Sequence, residues 1–175
     1  MGIILNLLLS FLEEKKGKEV AAKVKKEAGF EEIKSEKHYT AEQWQTLLKA
    51  VLDEFGVDAE TGQILFAQWV VTPVLDKFGS FFRASKSTLD LLERVPKIHL
   101  DLAASSGVKI EEKLKLVERT SDSITIHYES PNKMCIFLKE LAKVAFGYYG
   151  EKCEITESKC MDKGDSYCEI TFKLV

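Results

Sequence analysis

The sequence predicts an α+β fold: a helical N-terminal half packed on an antiparallel sheet with helices. Up to about residue 106 every strong hydrophobic period is helical. After Gly107 apolar residues recur at every second position, in two pairs of runs joined by short turns, and one further helical stretch separates the pairs. The order strand, strand, helix, strand, strand suits antiparallel pairing of neighbours with helices to one side. At 175 residues the chain can bury one sizeable core and not two. We expect one domain over 1–175, with a helical lobe over about 1–60 and an α+β lobe over about 61–175.

The first helix is expected over 2–15, with Ile4, Leu7, Leu8, Phe11 and Leu12 inward and Asn6 and Ser10 outward. Its apolar opening, MGIILNLLLSFL, lacks the basic leader and small-residue cleavage site of an export signal and is too short to span a bilayer. Helices follow over 18–28 and 41–55; Thr40, with Gln43 three residues later, opens the second as a capping box does. The period continues over 59–77 and 86–105, and Pro96 either kinks the latter or begins a new helix there. Leu114 to Val117, then Ile124, Ile126 and Tyr128, read as strands joined by the turn TSDS. A helix over 133–149 is spaced by Met134, Phe137, Leu138, Leu141, Val144 and Ala145. Runs over 152–159 and 167–174 alternate again around MDKGD.

Hydrophobic content of 45%, charged content of 30% and a net charge of -3 describe an ordinary globular chain. They give no electrostatic ground for a nucleic-acid or acidic-membrane partner. There is no nucleophile elbow, phosphate loop or dinucleotide fingerprint, and the pairs Glu13-Glu14, Glu31-Glu32 and Glu111-Glu112 read as solvated, so no enzyme is expected. Without an export signal the expected location is the cytoplasm. There the four cysteines stay reduced, which favours metal ligation or redox sensing over a disulfide framework.

Two stretches carry chemistry. In VPKIHLDLA, residues 95–103, His99 falls on the apolar stripe of Leu91, Leu92, Val95, Ile98, Leu102 and Ala103, where leucine would serve. A neutral imidazole there needs a hydrogen-bond donor, a proton or a metal for its acceptor nitrogen, so it is either a satisfied core residue or a ligand. In ITIHYESPNKMCIFLKEL, residues 124–141, a strand delivers Tyr128 and Ser130 into a turn before a helix. Hydroxyls and free helix N–H groups suit carboxylates or phosphates, and equally suit ordinary capping by Ser130 and Asn132.

The helix bearing GSFFRASKSTLDLLERVPKIHLDL, followed by a strand ending in Tyr-x-Ser, resembles the H-NOX (haem nitric oxide/oxygen binding) domains, relatives of the soluble guanylate cyclase sensor domain. The likeness extends from MGIILNLLLSFL to CEITFKL. It implies a b-type haem with His99 as axial iron ligand and Tyr128 and Ser130 on the propionates. Asn132 stands where the family pattern Tyr-x-Ser-x-Arg has arginine; one or two neutral bonds in place of two charge-assisted ones weaken haem binding by about 1 to 3 kcal/mol. GVKIEEKLK lacks the proline that presses on the haem in the family. The matched distal wall is Ile4, Leu8, Val71, Phe137 and Leu141, with Phe137 where oxygen-binding members carry a tyrosine. This implies nitric oxide binding at ferrous haem, with carbon monoxide as a further diatomic ligand and oxygen excluded. The signal would pass to a separate histidine kinase or cyclic-nucleotide or cyclic-di-nucleotide enzyme.

If the last hairpin turns about Lys163-Gly164, Cys160 and Cys168 face each other across it, with Cys135 able to close over them. These three resemble a zinc site of some H-NOX proteins, with Glu157 where a histidine completes it; buried reduced thiols are the alternative. Cys153 would face Val175, seven strand residues and roughly 23 Å from Cys160. The expectation is a haem-based gas sensor. The rival from another class is a thiol or zinc redox switch with a weak or absent haem site, and a third reading is an interaction module that keeps only the fold.

Overall fold

The computed structural model describes residues 2–105, 107 and 113–175. The acidic pair at 111–112 and most of the GVKIEEKLK segment lie outside these residues. Helix α1 (Gly2–Lys16) buries Leu5, Leu8, Phe11 and Leu12. The stripe is rotated from the expected one: Leu5 is fully buried, while Ile4 and Leu7 are half-buried against the core. The cause lies in the chain that covers the helix. Gly2 donates its N–H to Lys37 O (2.9 Å), and a Cβ on Gly2 would lie 2.0 Å from Lys34 O. Asn6, expected to face out, instead donates to Ile33 O (3.1 Å) and Ser35 Oγ (3.0 Å).

Helices α2 (Lys18–Glu27) and α3 (Ala41–Phe55) follow, the second opened by the Thr40/Gln43 capping box and closed by Gly56 in the left-handed region at φ 68°. Helix α4 (Ala59–Arg83) starts where Asp58 accepts the Thr61 N–H. It runs past the expected end at 77, because Phe78, Phe81 and Phe82 prolong its apolar period. Helix α5 (Thr88–Ser105) is continuous through the buried Pro96, which begins no new element.

Strands β1 (Leu114–Arg119), β2 (Ser123–Tyr128), β3 (Cys153–Lys159) and β4 (Cys168–Leu174) form an antiparallel sheet ordered β1-β2-β4-β3, with helix α6 (Cys135–Tyr148) between β2 and β3. Ile124, Ile126 and Tyr128 on β2 alternate inward with Cys168, Ile170 and Phe172 on β4. The β3–β4 register slips between Glu157 and Lys159, so Cys153 pairs with Leu174 and not with Val175. One extra residue at that point moves everything upstream by one.

A single apolar cluster joins the helices to the sheet. Phe11 stacks on Phe55 (ring centroids 5.0 Å) and meets Phe66, which stacks on Phe137 of α6 (5.1 Å). Helix α4 lies against α1, α3 and α6, whereas α5 lies against β1, β2 and α6. Among the described residues no helix is long and apolar enough to cross a membrane.

Candidate functional site

On α5 the residues Leu92, Pro96 and Ala103 are buried, and His99 shares their stripe. Yet His99 itself is exposed, not buried as its place on the stripe predicts, and so is Leu100 beside it. Burial among the surrounding protein atoms nevertheless pushes its imidazole pKa below the ordinary value. The imidazole there is neutral, with a nitrogen lone pair available as a ligand. The helix is held at its start by Glu151, whose Oε2 accepts the Thr88 N–H (3.0 Å), and by Arg94 Nη1 donating to Ser85 Oγ (2.7 Å).

Tyr128 and Ser130 come together in the turn between β2 and α6. Tyr128 Oη accepts the Met134 N–H (3.2 Å) and Ser130 Oγ accepts the Asn132 N–H (3.3 Å), and the Ser130 hydroxyl also bonds to Tyr128, which leaves the Tyr128 proton to donate. Burial raises the Tyr128 pKa, so it remains a donor. The Asn132 side-chain amide bonds to none of the described residues, while its carbonyl accepts from Gln45 Nε2 (3.1 Å). Lys133, at φ 48°, is the one non-glycine in the left-handed region among the described residues, and its N–H closes the turn on Ser130 O (3.0 Å).

Of the expected distal residues, Leu8 and Phe137 are buried, and Ile4, Val71 and Leu141 are half-buried. The sequence reading missed Gln63. It lies on the buried stripe of α4 with Phe66, Ala67 and Val70. Its Oε1 accepts the Phe137 N–H (3.1 Å) and its Nε2 donates to Lys133 O (3.3 Å), so it caps α6 from another helix. The signal was available: like His99, it is a polar residue on an apolar stripe. Tyr149 donates its hydroxyl to Phe82 O (2.6 Å).

A second constellation lies at the first residue of α6 and the β3–β4 hairpin. One ligand atom from each of Cys135, Glu157, Cys160 and Cys168 falls within 4.8 Å of all the others. Cys135 Sγ and Cys160 Sγ approach to 3.9 Å, close to the roughly 3.7 Å edge of a tetrahedron with Zn–S bonds of about 2.3 Å. Glu157 Oε2 pairs with Lys139 Nζ (3.0 Å), while its buried Oε1 has no partner. Cys168 Sγ accepts the Met161 N–H (3.2 Å), and Cys135 donates to Asp162 Oδ2 (3.2 Å). Burial, most of all, raises the thiol pKa values of Cys135 and Cys168, so without a cation they are protonated. Cys153 pairs with Leu174 and takes no part in the cluster. Of the other histidines, His38 sits outside these groups and His127 bonds to Glu169 Oε2 (2.7 Å) on the outer face of the sheet.

A sequence model of the Haem-NO-binding family (HNOB) matches residues 1–157. The chain belongs to this family. Its members are haem-based gas sensors related to guanylate cyclase. Among curated proteins a sequence search finds no match. Solved structures of the same fold include an H-NOX protein from S. oneidensis in the Fe(II)NO ligation state, with a TM-score of 0.85 at 18% identity, covering 99% of this chain and 98% of that one. The Fe(II) unliganded H-NOX protein from K. algicida gives 0.83 at 20% over 99% and 96%. An oxygen binding H-NOX domain related to soluble guanylate cyclases, in its oxygen complex, gives 0.79 at 17% over 99% and 94%. At these identities the structures establish the fold.

The residues present fit a haem. An accessible neutral imidazole stands on an otherwise buried stripe, and a turn with two hydroxyls and an uncommitted amide suits carboxylates. The chemistry of the donor set likewise fits a zinc ion at the thiol cluster.

Proposed function

We propose that this chain is a haem-based gas sensor, not itself catalytic, that binds nitric oxide at ferrous haem and excludes oxygen. The observation that carries the reading is His99, an accessible neutral imidazole on the otherwise buried stripe of α5. His99 would hold the iron, Tyr128 and Ser130 would bind the propionates, and Asn132 would add a neutral amide. The haem supplies the iron centre at which a diatomic gas binds. His99 lies on the helix that packs on β1 and β2, and the distal residues lie on α1, α4 and α6, so a change in tension at His99 would shift the helical half relative to the sheet half. A separate kinase or cyclic-nucleotide enzyme in the cytoplasm would read that movement. The test is His99→Gly. The variant should purify without haem and take it up only with added imidazole; an unchanged five-coordinate ferrous spectrum would refute the assignment.

A specific observation favours a second role beside the first. The unpartnered, buried Glu157 Oε1 and the three neighbouring sulfurs suit a zinc ion, which would displace the thiol protons and keep the sulfurs exchangeable. Metal analysis after reduced purification should find one zinc per chain, and well under one would count against this.

A further inference from the structure

Along β3 the side chains of Cys153, Ile155 and Glu157 turn inward while Glu154 and Thr156 turn out, the ordinary alternation of a strand. Continued strictly, that alternation would turn Lys159 inward and Cys160 outward. Instead Ser158 and Lys159 both face solvent, and Cys160, just beyond the strand, is buried. The register slip between Glu157 and Lys159 is the cause: two residues of β3 occupy one place in the ladder.

Both outward residues are held from the outer face of the sheet. Ser158 Oγ donates to Glu169 Oε1 (2.5 Å) and also lies 3.5 Å from Glu169 O. Glu169 Oε2 is fixed in turn by His127 Nε2 on β2 (2.7 Å). Lys159 Nζ bonds to the Tyr167 hydroxyl, and the Tyr167 ring packs on His127 at 4.3 Å. The network lies directly behind the thiol cluster, because His127 precedes Tyr128, Glu169 follows Cys168, and Ser158 and Lys159 separate Glu157 from Cys160.

We infer that Ser158, pinned by Glu169, is the positioning residue that holds the β3 bulge and so aims Glu157 and Cys160 into one cluster. The metal arm of the test rests on the zinc reading above; the placement of Cys160 does not. Two readouts keep these apart on the reduced, full-length protein. One is the rate at which iodoacetamide alkylates Cys160, followed by peptide mass mapping. The other is titration with cobalt(II), followed by thiolate-to-cobalt absorption.

Ser158→Ala should speed alkylation of Cys160 and weaken cobalt binding, each by about tenfold, the effect of one hydrogen bond to a carboxylate that solvent partly screens. Ser158→Thr keeps a hydroxyl and should restore both. Deleting Ser158 removes the bulge and its need together: Glu157, Lys159 and Cys160 then alternate in, out, in, so Cys160 should stay protected. Ser158→Ala leaving Cys160 as protected as in the parent would overturn the inference, as would Ser158→Thr behaving like Ser158→Ala. Should the deletion variant fail to fold, the Ala and Thr variants still decide. If the parent takes up no cobalt while Cys160 responds as described, the zinc reading fails and the positioning role stands.

Discussion

On the proposed haem reading, Phe137 would stand at the point in the distal wall where selectivity between gases is set. Oxygen is retained when a hydrogen-bond donor offsets the charge it draws from iron, whereas nitric oxide holds to ferrous iron without one. The other wall residues, Ile4, Leu8, Val71 and Leu141, offer no side-chain donor. The nearby amide of Gln63 is committed at both ends, to the Phe137 N–H and Lys133 O. Phe137→Tyr adds one donor, and a buried neutral hydrogen bond is worth about 1 to 1.5 kcal/mol, about tenfold in oxygen affinity. The reduced parent should oxidise in air without holding oxygen, while the variant should hold it measurably; equal behaviour by absorbance would refute this. Phe137 is legible only through the family resemblance, because nothing in its own spacing separates it from a core aromatic. His99 is legible directly, since a polar residue on an apolar stripe must be satisfied by something. Gln63 carries the same mark, but its partners lie about seventy residues away in sequence and no local pattern names them.

At the scale of elements, a helix start set by local chemistry is readable in advance, as Thr40 and Gln43 demonstrate, whereas α6 is capped by Gln63 from another helix. Ends and registers depend on distant partners. The β3 bulge cannot be read from alternation alone, because its pin comes from Glu169 on the next strand. The expected facing of Cys153 and Val175 is therefore off by one. The join between α1 and α4 is likewise tertiary: Trp69 Nε1 donates to Glu14 Oε2 at 2.7 Å. That bond, with Lys15 second, holds the Glu14 carboxyl below its ordinary pKa of 4.5. A carboxyl lowered in the folded state adds stability that is fully present above the unfolded value and is lost as pH falls through the folded one. Glu14→Gln should therefore cost stability at neutral pH, and the difference from the parent should shrink below pH 4.5. Urea unfolding at pH 7 and pH 3.5, followed by tryptophan fluorescence, measures it. A difference that is the same at both would show that the charge on Glu14 contributes nothing.

The whole molecule is tied together by aromatic stacking on the helical side and by the thiol cluster on the sheet side. The four cluster residues come from separate parts of the chain: Cys135 from the start of α6, Glu157 from β3, Cys160 from the turn after it and Cys168 from β4. A cation bound there exists only in the folded state, so it stabilises the fold by mass action. At a free zinc concentration a hundredfold above Kd the gain is about 2.7 kcal/mol. For a domain of this size each kcal/mol moves the melting temperature by about 2 to 4 °C, so zinc should raise Tm by about 5 to 11 °C. Cys168→Ser removes one sulfur and should abolish most of that shift. His99→Gly should leave it intact, since His99 lies on α5 and contributes no ligand to the cluster. Oxidation should abolish it too, by linking Cys135 to Cys160, whose sulfurs already lie 3.9 Å apart. Peptide mapping should recover Cys135 with Cys160, the pair whose sulfurs are in contact. A zinc-induced shift that survives both Cys168→Ser and oxidation would place the ion elsewhere. A shift lost in His99→Gly would mean that the two constellations are one coupled site rather than two.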